Sequence, residues 1–250
     1  MFDEFTENKL SVGSWCQIGH AANAEILAKA GFAWVALDCE HGEAEDSHIG
    51  SFCRALKQFD CRPLVRVKEN AVLPIRRALD LGAAGVIVPL VNTPEDAKKA
   101  VAAAKYPPAG IRGFAFHRGN NWGVDFAEYA ASANNEIVVI VMIESKAAVD
   151  NIEDILAVKG VDGVFIGPYD MSGSDGIIGQ TDSPVIQVAC SQVAEACRKY
   201  GKAAGIHIVL PTKDKVQDAM DQGFTLLALG MDTVFLADGA AKAMAMVNND

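Results

Sequence analysis

The sequence predicts a (β/α)8 barrel, the TIM-barrel architecture, folded as a single domain over residues 1–250. Three observations carry that prediction. The length of 250 residues is the usual size of such a barrel. Short apolar runs alternate eight times with helical patterns, and a run apolar at every position suits a strand covered by helices on both faces. No linker, low-complexity tract or break in composition divides the repeats, which favours closure over an open doubly wound sheet.

The elements follow in order. SVGSWCQ (11–17) is the first strand, ahead of the helical AANAEILAKAG. WVALDCE (34–40) leads into HIGSFCRALKQF, and RPLVRV (62–67) into LPIRRALDLG. AGVIVPLV (84–91) precedes TPEDAKKAVAAAKY, and EIVVIVMIE (136–144) precedes AAVDNIEDILAV. GVFIGP (163–168) precedes SPVIQVACSQVAEACRKYG, and AAGIHIV (203–209) precedes TKDKVQDAMDQG. FTLLALG (224–230) and TVFLADGAAKAMAM complete the set. Residues 107–135 interrupt the rhythm as a long connection rich in Gly, Asn and aromatics. A connection of that length in a compact domain is expected to be functional or to lie at an interface.

Composition narrows the function classes. The formal net charge of −10 argues against nucleic acid, which asks for clustered Lys and Arg, and against an anionic membrane surface. No apolar stretch approaches the roughly 20 residues of a spanning helix. Met1-Phe2-Asp3-Glu4-Phe5 lacks the basic-then-apolar layout of a signal peptide, so a cytoplasmic protein is expected. The six cysteines (16, 39, 53, 61, 190, 197) form no C-x-x-C and have no His at finger spacing. Their apolar neighbours predict buried, reduced thiols rather than structural zinc. Cys39, inside DCEH, is weighed as a nucleophile, but nothing nearby would activate it.

Barrel enzymes place their chemistry at the C-terminal ends of the strands. Those ends carry a polar set here: Asp38-Cys39-Glu40-His41, then Arg66 with Lys68 and Glu69, then Glu144, then Gly167-Pro168-Tyr169-Asp170, then His207. Glu144 and Asp170 end adjacent strands. Two carboxylates so placed either share a proton or share a cation, and hard cations such as Mg2+ or Mn2+ take carboxylate oxygens. Capping of the following helix is the plainer role for each acid. His41, flanked by acids, suits a general acid or base with its tautomer fixed by a carboxylate; a surface histidine in the polar loop EHGEAED is the alternative. Arg66, apolar-flanked in LVRVK, must deliver its guanidinium to the strand tip. There it would meet a carboxylate, an enolate oxygen, or an acid in a plain ion pair. His207 fits a core histidine satisfied by backbone.

These blocks together have a recognisable pattern. GSWCQIGHAANAEILAKAGFAWVALDCEHG, PLVRVKEN, LDLGAAGVIVPLVNTPEDAKKAVAAAKYPPAGIRG, VMIES and DGVFIGPYDMSGSDGIIGQ resemble the HpcH/HpaI aldolase family over about residues 10–240, with order and spacing preserved. The resemblance implies a metal-dependent pyruvate aldolase of class II. Such an enzyme reversibly cleaves a 4-hydroxy-2-oxo acid, such as a 2-keto-3-deoxy sugar acid, to pyruvate and an aldehyde through a metal-stabilised enolate. It further implies a homo-hexamer, a trimer of dimers that exchange the last helix.

By that resemblance Glu144 and Asp170 bind a divalent metal, Mg2+ or Mn2+ with Co2+ a third candidate, and pyruvate chelates it. Arg66 holds the keto or enolate oxygen. His41 acts as base through a water, supported by Asp38 and by Asp80 of RALDLGA, which can belong to a neighbouring part of the site. The backbone of Gly167, Tyr169 and Asp170 receives the pyruvate carboxylate. Two positions depart from the family pattern. Met142 stands where a glutamine often lies two residues before the glutamate. Tyr169 replaces the small residue common in GP-x-D and is expected to narrow the pocket. FAFHRGNNWG also differs and is expected to shape the aldehyde side.

Two other readings are carried forward. A Schiff-base aldolase needs a lysine of depressed pKa in a dry pocket, and the candidates Lys68 and Lys146 both lie in polar loops. A catalytically idle barrel that binds a keto acid would fit the departures at Met142 and Tyr169. No distinct stretch for a CoA thioester is visible.

Overall fold

The computed structural model describes residues 9–247. The stretch Met1–Phe5, read above for a leader, lies outside them, as do both ends of the predicted domain.

Eight parallel strands close on themselves in chain order, with β1 hydrogen-bonded to both β2 and β8. The order is β1 (Ser11–Cys16), α1 (Ala21–Lys29), β2 (Trp34–Asp38), α2 (Asp46–Leu56), β3 (Arg62–Arg66), α3 (Val72–Asp80), β4 (Gly85–Val88) and α4 (Pro94–Ala104). A short 3-10 turn (Arg118–Gly123) and α5 (Phe126–Glu136) precede β5 (Val138–Ile143), α6 (Lys146–Asp150) and α7 (Ile152–Leu156). The chain continues through β6 (Gly163–Ile166), α8 (Pro168–Ser174), α9 (Pro184–Tyr200), β7 (Ala203–Ile208), α10 (Lys213–Asp221), β8 (Leu226–Met231) and α11 (Asp232–Ala245). Each predicted strand is present, trimmed by one to four residues, and β8 runs one residue further, to Met231. The open doubly wound alternative is excluded by the β1–β8 pairing.

The core has two compartments. Odd and even positions of each strand face opposite ways. One set packs outward with the helices: Val35, Leu37, Val65, Val86, Val139, Val141, Val164 and Leu227. The other fills the barrel: Trp15, Trp34, Leu64, Ile87, Ile140, Met142, Phe165 and Leu226. Large rings fit there because glycines face them. A Cβ on Gly13 would fall on the Trp34 indole and one on Gly205 on the Phe165 ring.

This two-residue period positions the site. The inward set Trp34, Ala36 continues to Asp38, Leu64 to Arg66, Ile140 and Met142 to Glu144, and Phe165 to Gly167. All four emerge from the barrel lumen at the C-terminal end.

The long connection at 107–135 has secondary structure of its own that the sequence reading did not assign. It holds the 3-10 turn and helix α5. Because α4 runs back along the barrel, this segment begins at the N-terminal end of the strands. There Arg112 is fully buried between the rings of Tyr106 and Tyr129, at 4.6 and 5.7 Å, and donates to Asp80 at 2.8 Å. FAFHRGNNWG therefore does not line the aldehyde side of its own chain's site, contrary to expectation. It presents Phe114, Phe116 and Trp122 to solvent.

The last helix is barely attached. From Phe235 onward every described residue of α11 is exposed, Leu236 at 66% and Met244 at 58%. Among the described residues no helix is long and apolar enough to cross a membrane.

Candidate active site

Asp38 is the anchor of the C-terminal end. It is buried, and burial alone would raise its pKa. The Arg66 hydrogen bonds and charge, the His41 N–H and the Gln17 amide together bring it below the usual aspartate range. Arg66 grips it side-on: Nε donates to Oδ1 at 2.9 Å and Nη2 to Oδ2. The guanidinium also lies over the Trp15 indole, 4.6 Å from its centroid. Nη1, the nitrogen Asp38 does not engage, lies 3.4 Å from Glu40 Oε2.

Glu144 and Asp170 converge as the sequence predicted. A Cβ placed on Gly167 would lie 3.1 Å from Glu144 Oε1 and 3.6 Å from Asp170 Oδ2, so both carboxylates border the space that the missing side chain leaves. Glu144 Oε2 accepts the N–H of Leu90 at 3.0 Å, and Leu90 has the positive φ of 56° that β4's exit turn imposes. Burial, then the charges of Asp170 and Glu40, raise the pKa of Glu144, against the Leu90 N–H and Arg66.

Glu40 is the residue whose part the sequence did not reveal. Burial raises its pKa, Asp38 and Asp170 add to that, and Arg66 and His41 oppose it. Its Oε2 is buried with no hydrogen-bond partner. Glu40 and Glu144, whose pKa values burial raises, are further crowded by the charge of Asp170, and an added cation would offset that crowding. No group of three or more His, Cys, Asp or Glu side chains forms a closed cage among the described residues. Two converging carboxylates suit a hard divalent ion, which keeps several waters or substrate oxygens.

Other expectations are refined by the geometry. His41 does not pair its ring with Asp38. Asp38 takes the His41 backbone N–H at 3.1 Å, and the exposed imidazole has Glu40 Oε2 at 3.7 Å from its Nε2. The reason is the tight turn after β2, which leaves Asp38 facing the lumen and sends His41 outward. Asp80 is not brought to His41 within one chain. It ends α3 at the other end of the barrel, bound to Arg112, with His117 Nε2 at 3.4 Å. A role for Asp80 beside His41 requires a second subunit. The Gly167 N–H is already donated to Ile143 O at 3.0 Å, so it is not available to a carboxylate. The N–H groups of Tyr169 and Asp170, in the first turn of α8, have no side-chain cap. Tyr169 itself is 63% exposed and lines a cavity of about 290 Å³ with Thr181, Asp182 and Lys215, rather than narrowing the space over the carboxylates.

The rival nucleophiles are poorly placed. Lys68 is exposed and bound to Glu45, and Lys146 is exposed near Asp150. Lys105 does have its pKa lowered by burial, but it follows α4 at the opposite end and donates to Asn134 O at 2.9 Å. Cys39 is buried, and burial with the Asp38 charge pushes its thiol up to about 12. All six cysteines are buried, as expected, and none forms a disulfide among the described residues. His207 sits in the lumen with Nε2 3.0 Å from Gly230 O, the backbone-satisfied core histidine that was predicted.

The family model for HpcH/HpaI aldolase/citrate lyase matches residues 11–238. The chain belongs to this family. A 5-keto-4-deoxy-D-glucarate aldolase of Klebsiella pneumoniae is 38% identical over 226 residues, 90% of this chain and 87% of its own. A HpcH/HpaI aldolase/citrate lyase family protein of Burkholderia cenocepacia superposes with a TM-score of 0.92 at 31% identity, over 96% of this chain and 95% of that one. The HpcH/HpaI aldolase of Desulfitobacterium hafniense gives 0.89 at 31%, over 97% and 94%. Membership makes this chain a carbon–carbon lyase of the aldolase type.

Proposed function

We propose that the protein reversibly cleaves a 4-hydroxy-2-oxo acid to pyruvate and an aldehyde with a divalent metal, Mg2+ or Mn2+, held by Glu144 and Asp170. The observation that supports this most is the convergence of those two carboxylates over Gly167, beside an arginine already locked in place. A sugar-derived oxo acid is the substrate class, and the relative's name makes 5-keto-4-deoxy-D-glucarate the first compound to assay.

Breaking the C3–C4 bond leaves an electron pair on the pyruvate half. When bound, the cation supplies Lewis acidity to the substrate's keto oxygen. Arg66 adds a second positive group there through Nη1, the nitrogen that Asp38 does not engage. The buried Asp38 keeps that guanidinium from swinging to bulk solvent. His41, exposed at the mouth, takes the C4 hydroxyl proton through a water in cleavage and returns it in synthesis. The N–H groups of Tyr169 and Asp170 receive the pyruvate carboxylate.

The exposed apolar face of α11 supports assembly as a homo-hexamer, a trimer of dimers exchanging this helix. Cytoplasmic residence agrees with six buried thiols that form no disulfide among the described residues.

The test is turnover of pyruvate with an aldehyde panel in Mn2+ or Mg2+, with and without EDTA, beside Glu144→Ala and Asp170→Ala. EDTA and either substitution should remove most activity. Glu144→Ala should also lose roughly 1 kcal/mol of stability by orphaning the Leu90 N–H, while Asp170→Ala should not. A borohydride-trapped pyruvate adduct would point to the Schiff-base route instead. Pyruvate binding without any turnover would leave only an idle barrel.

A further inference from the structure

Gln17, directly after β1, has no part in the chemistry above, yet its amide is tied at both ends. Nε2 donates to Asp38 Oδ2 at 3.2 Å, and Oε1 accepts from Thr233 Oγ1 at 3.3 Å. The ionised Asp38 only accepts, so it draws Nε2 toward itself, and the Thr233 hydroxyl, free to donate, holds Oε1 at the other end. The backbone is clamped as well. Asp232, buried as the first residue of α11, accepts the N–H of Gln17 at 2.8 Å and of Ile18 at 3.1 Å, and the Asn23 amide at 2.9 Å.

On the far side, the two Asp38 oxygens are loaded unequally. Oδ1 takes three donors: the Glu40 and His41 N–H groups, each at 3.1 Å, and Arg66 Nε at 2.9 Å. Oδ2 takes Arg66 Nη2 and Gln17 Nε2. A carboxylate turns easily about its terminal torsion, and a side-on guanidinium must follow its plane. Gln17 is the one side chain besides Arg66 that hydrogen-bonds this carboxylate among the described residues.

We propose that Gln17 is a positioning residue for Arg66: oriented by Thr233 and the Asp232 clamp, it fixes the Asp38 carboxylate and through it the guanidinium. The first turn of α11 is thereby wired to the arginine at the reaction centre. The effect on turnover rests on the aldolase reading, whereas the effect on Arg66 rests on geometry alone.

The experiment uses the full chain and two measurements on Gln17→Leu, Gln17→Glu and Thr233→Val. The first is solvent exchange of the Arg66 Nε–H by nitrogen-15 NMR, with the resonance assigned by its loss in Arg66→Lys. The second is steady-state kinetics with pyruvate, Mn2+ and an aldehyde that the wild type accepts. Removing one hydrogen bond to a charged group should speed Nε–H exchange about tenfold in Gln17→Leu and lower kcat about tenfold. The pyruvate KM should hold, because Arg66 acts on charge that develops in the transition state. In Gln17→Glu the kcat ratio to wild type should recover as pH falls and the new carboxyl gains a proton to donate. Thr233→Val should move both readouts the same way by less, and it carries the test should Gln17→Leu not fold. Unchanged Nε–H exchange in a folded variant overturns the proposal, as does unchanged kcat against an active wild type. A wild type without aldol turnover overturns the aldolase reading instead, and the NMR measurement then decides the positioning role.

Discussion

Arg66 binds Asp38 through two parallel donors, Nε to Oδ1 and Nη2 to Oδ2, with the indole of Trp15 beneath the guanidinium. A lysine ammonium cannot reproduce either the fork or the stacking. Arg66→Lys should therefore lower kcat about a hundredfold, the size expected for losing a preorganised oxyanion donor. Steady-state kinetics check this, and a variant within threefold of wild type, or about 0.65 kcal/mol, would show that Arg66 is only a structural ion pair.

Gly167→Ala tests the carboxylate pair without altering a charge. The glycine has φ −110°, which any residue adopts, so the backbone is not strained. The new Cβ would stand 3.0 Å from Glu144 Cγ and 3.1 Å from Oε1, and Glu144 must move. The expected outcome is a folded protein whose Mn2+ affinity falls about tenfold or more, read by calorimetry. Unchanged Mn2+ binding would place the metal elsewhere.

Burial holds His207 at about 4, below the ordinary value for histidine. The unfolded chain therefore takes up a proton near pH 6.5 that the folded chain refuses until about pH 4. Stability attached to this residue is complete above pH 6.5 and drains away as pH falls toward 4, by about 3 kcal/mol in all. Denaturant unfolding of wild type and His207→Gln across that range should give a visibly flatter curve for the variant. Parallel curves would mean that the imidazole is protonated in the native lumen.

The exposed α11 predicts that assembly depends on it. Leu236→Glu with Met244→Glu should reduce the solution mass to a smaller species, measured by light scattering after size exclusion. Retention of the wild-type mass would assign the contact to other surfaces, such as Phe114, Phe116 and Trp122.

Much of the centre was legible because of strand parity. Asp38, Arg66 and Glu144 each end a run of inward apolar residues, so a charge there must emerge at the strand tip. Asp170 was legible from the Gly-Pro stop that follows β6. The same logic applied to Gln17, two residues beyond the inward Trp15, but a neutral amide after an apolar strand carries no contrast. Glu40 was hidden beside Asp38, and which of two neighbouring acids faces the lumen is decided by the turn. The positions of Asp80 and of residues 107–135 within one chain were not legible, for another reason. Their location depends on α3 and α4 carrying the chain to the far end of the barrel, and composition does not register that return. Helix α5 was missed because FAEYAASANNE is broken by asparagines and buries a single residue, Ala133.

The stacking of Arg66 on Trp15 gives the molecule a built-in optical probe. Trp15 is only 3% exposed, so its emission is shielded from bulk water and tuned by the cation 4.6 Å above it. A ligand that draws the guanidinium toward its own oxygen alters the field at that indole. Occupancy can then be followed by ultraviolet fluorescence without any attached dye, with Trp15→Phe as the blank that separates this signal from Trp34 and Trp122.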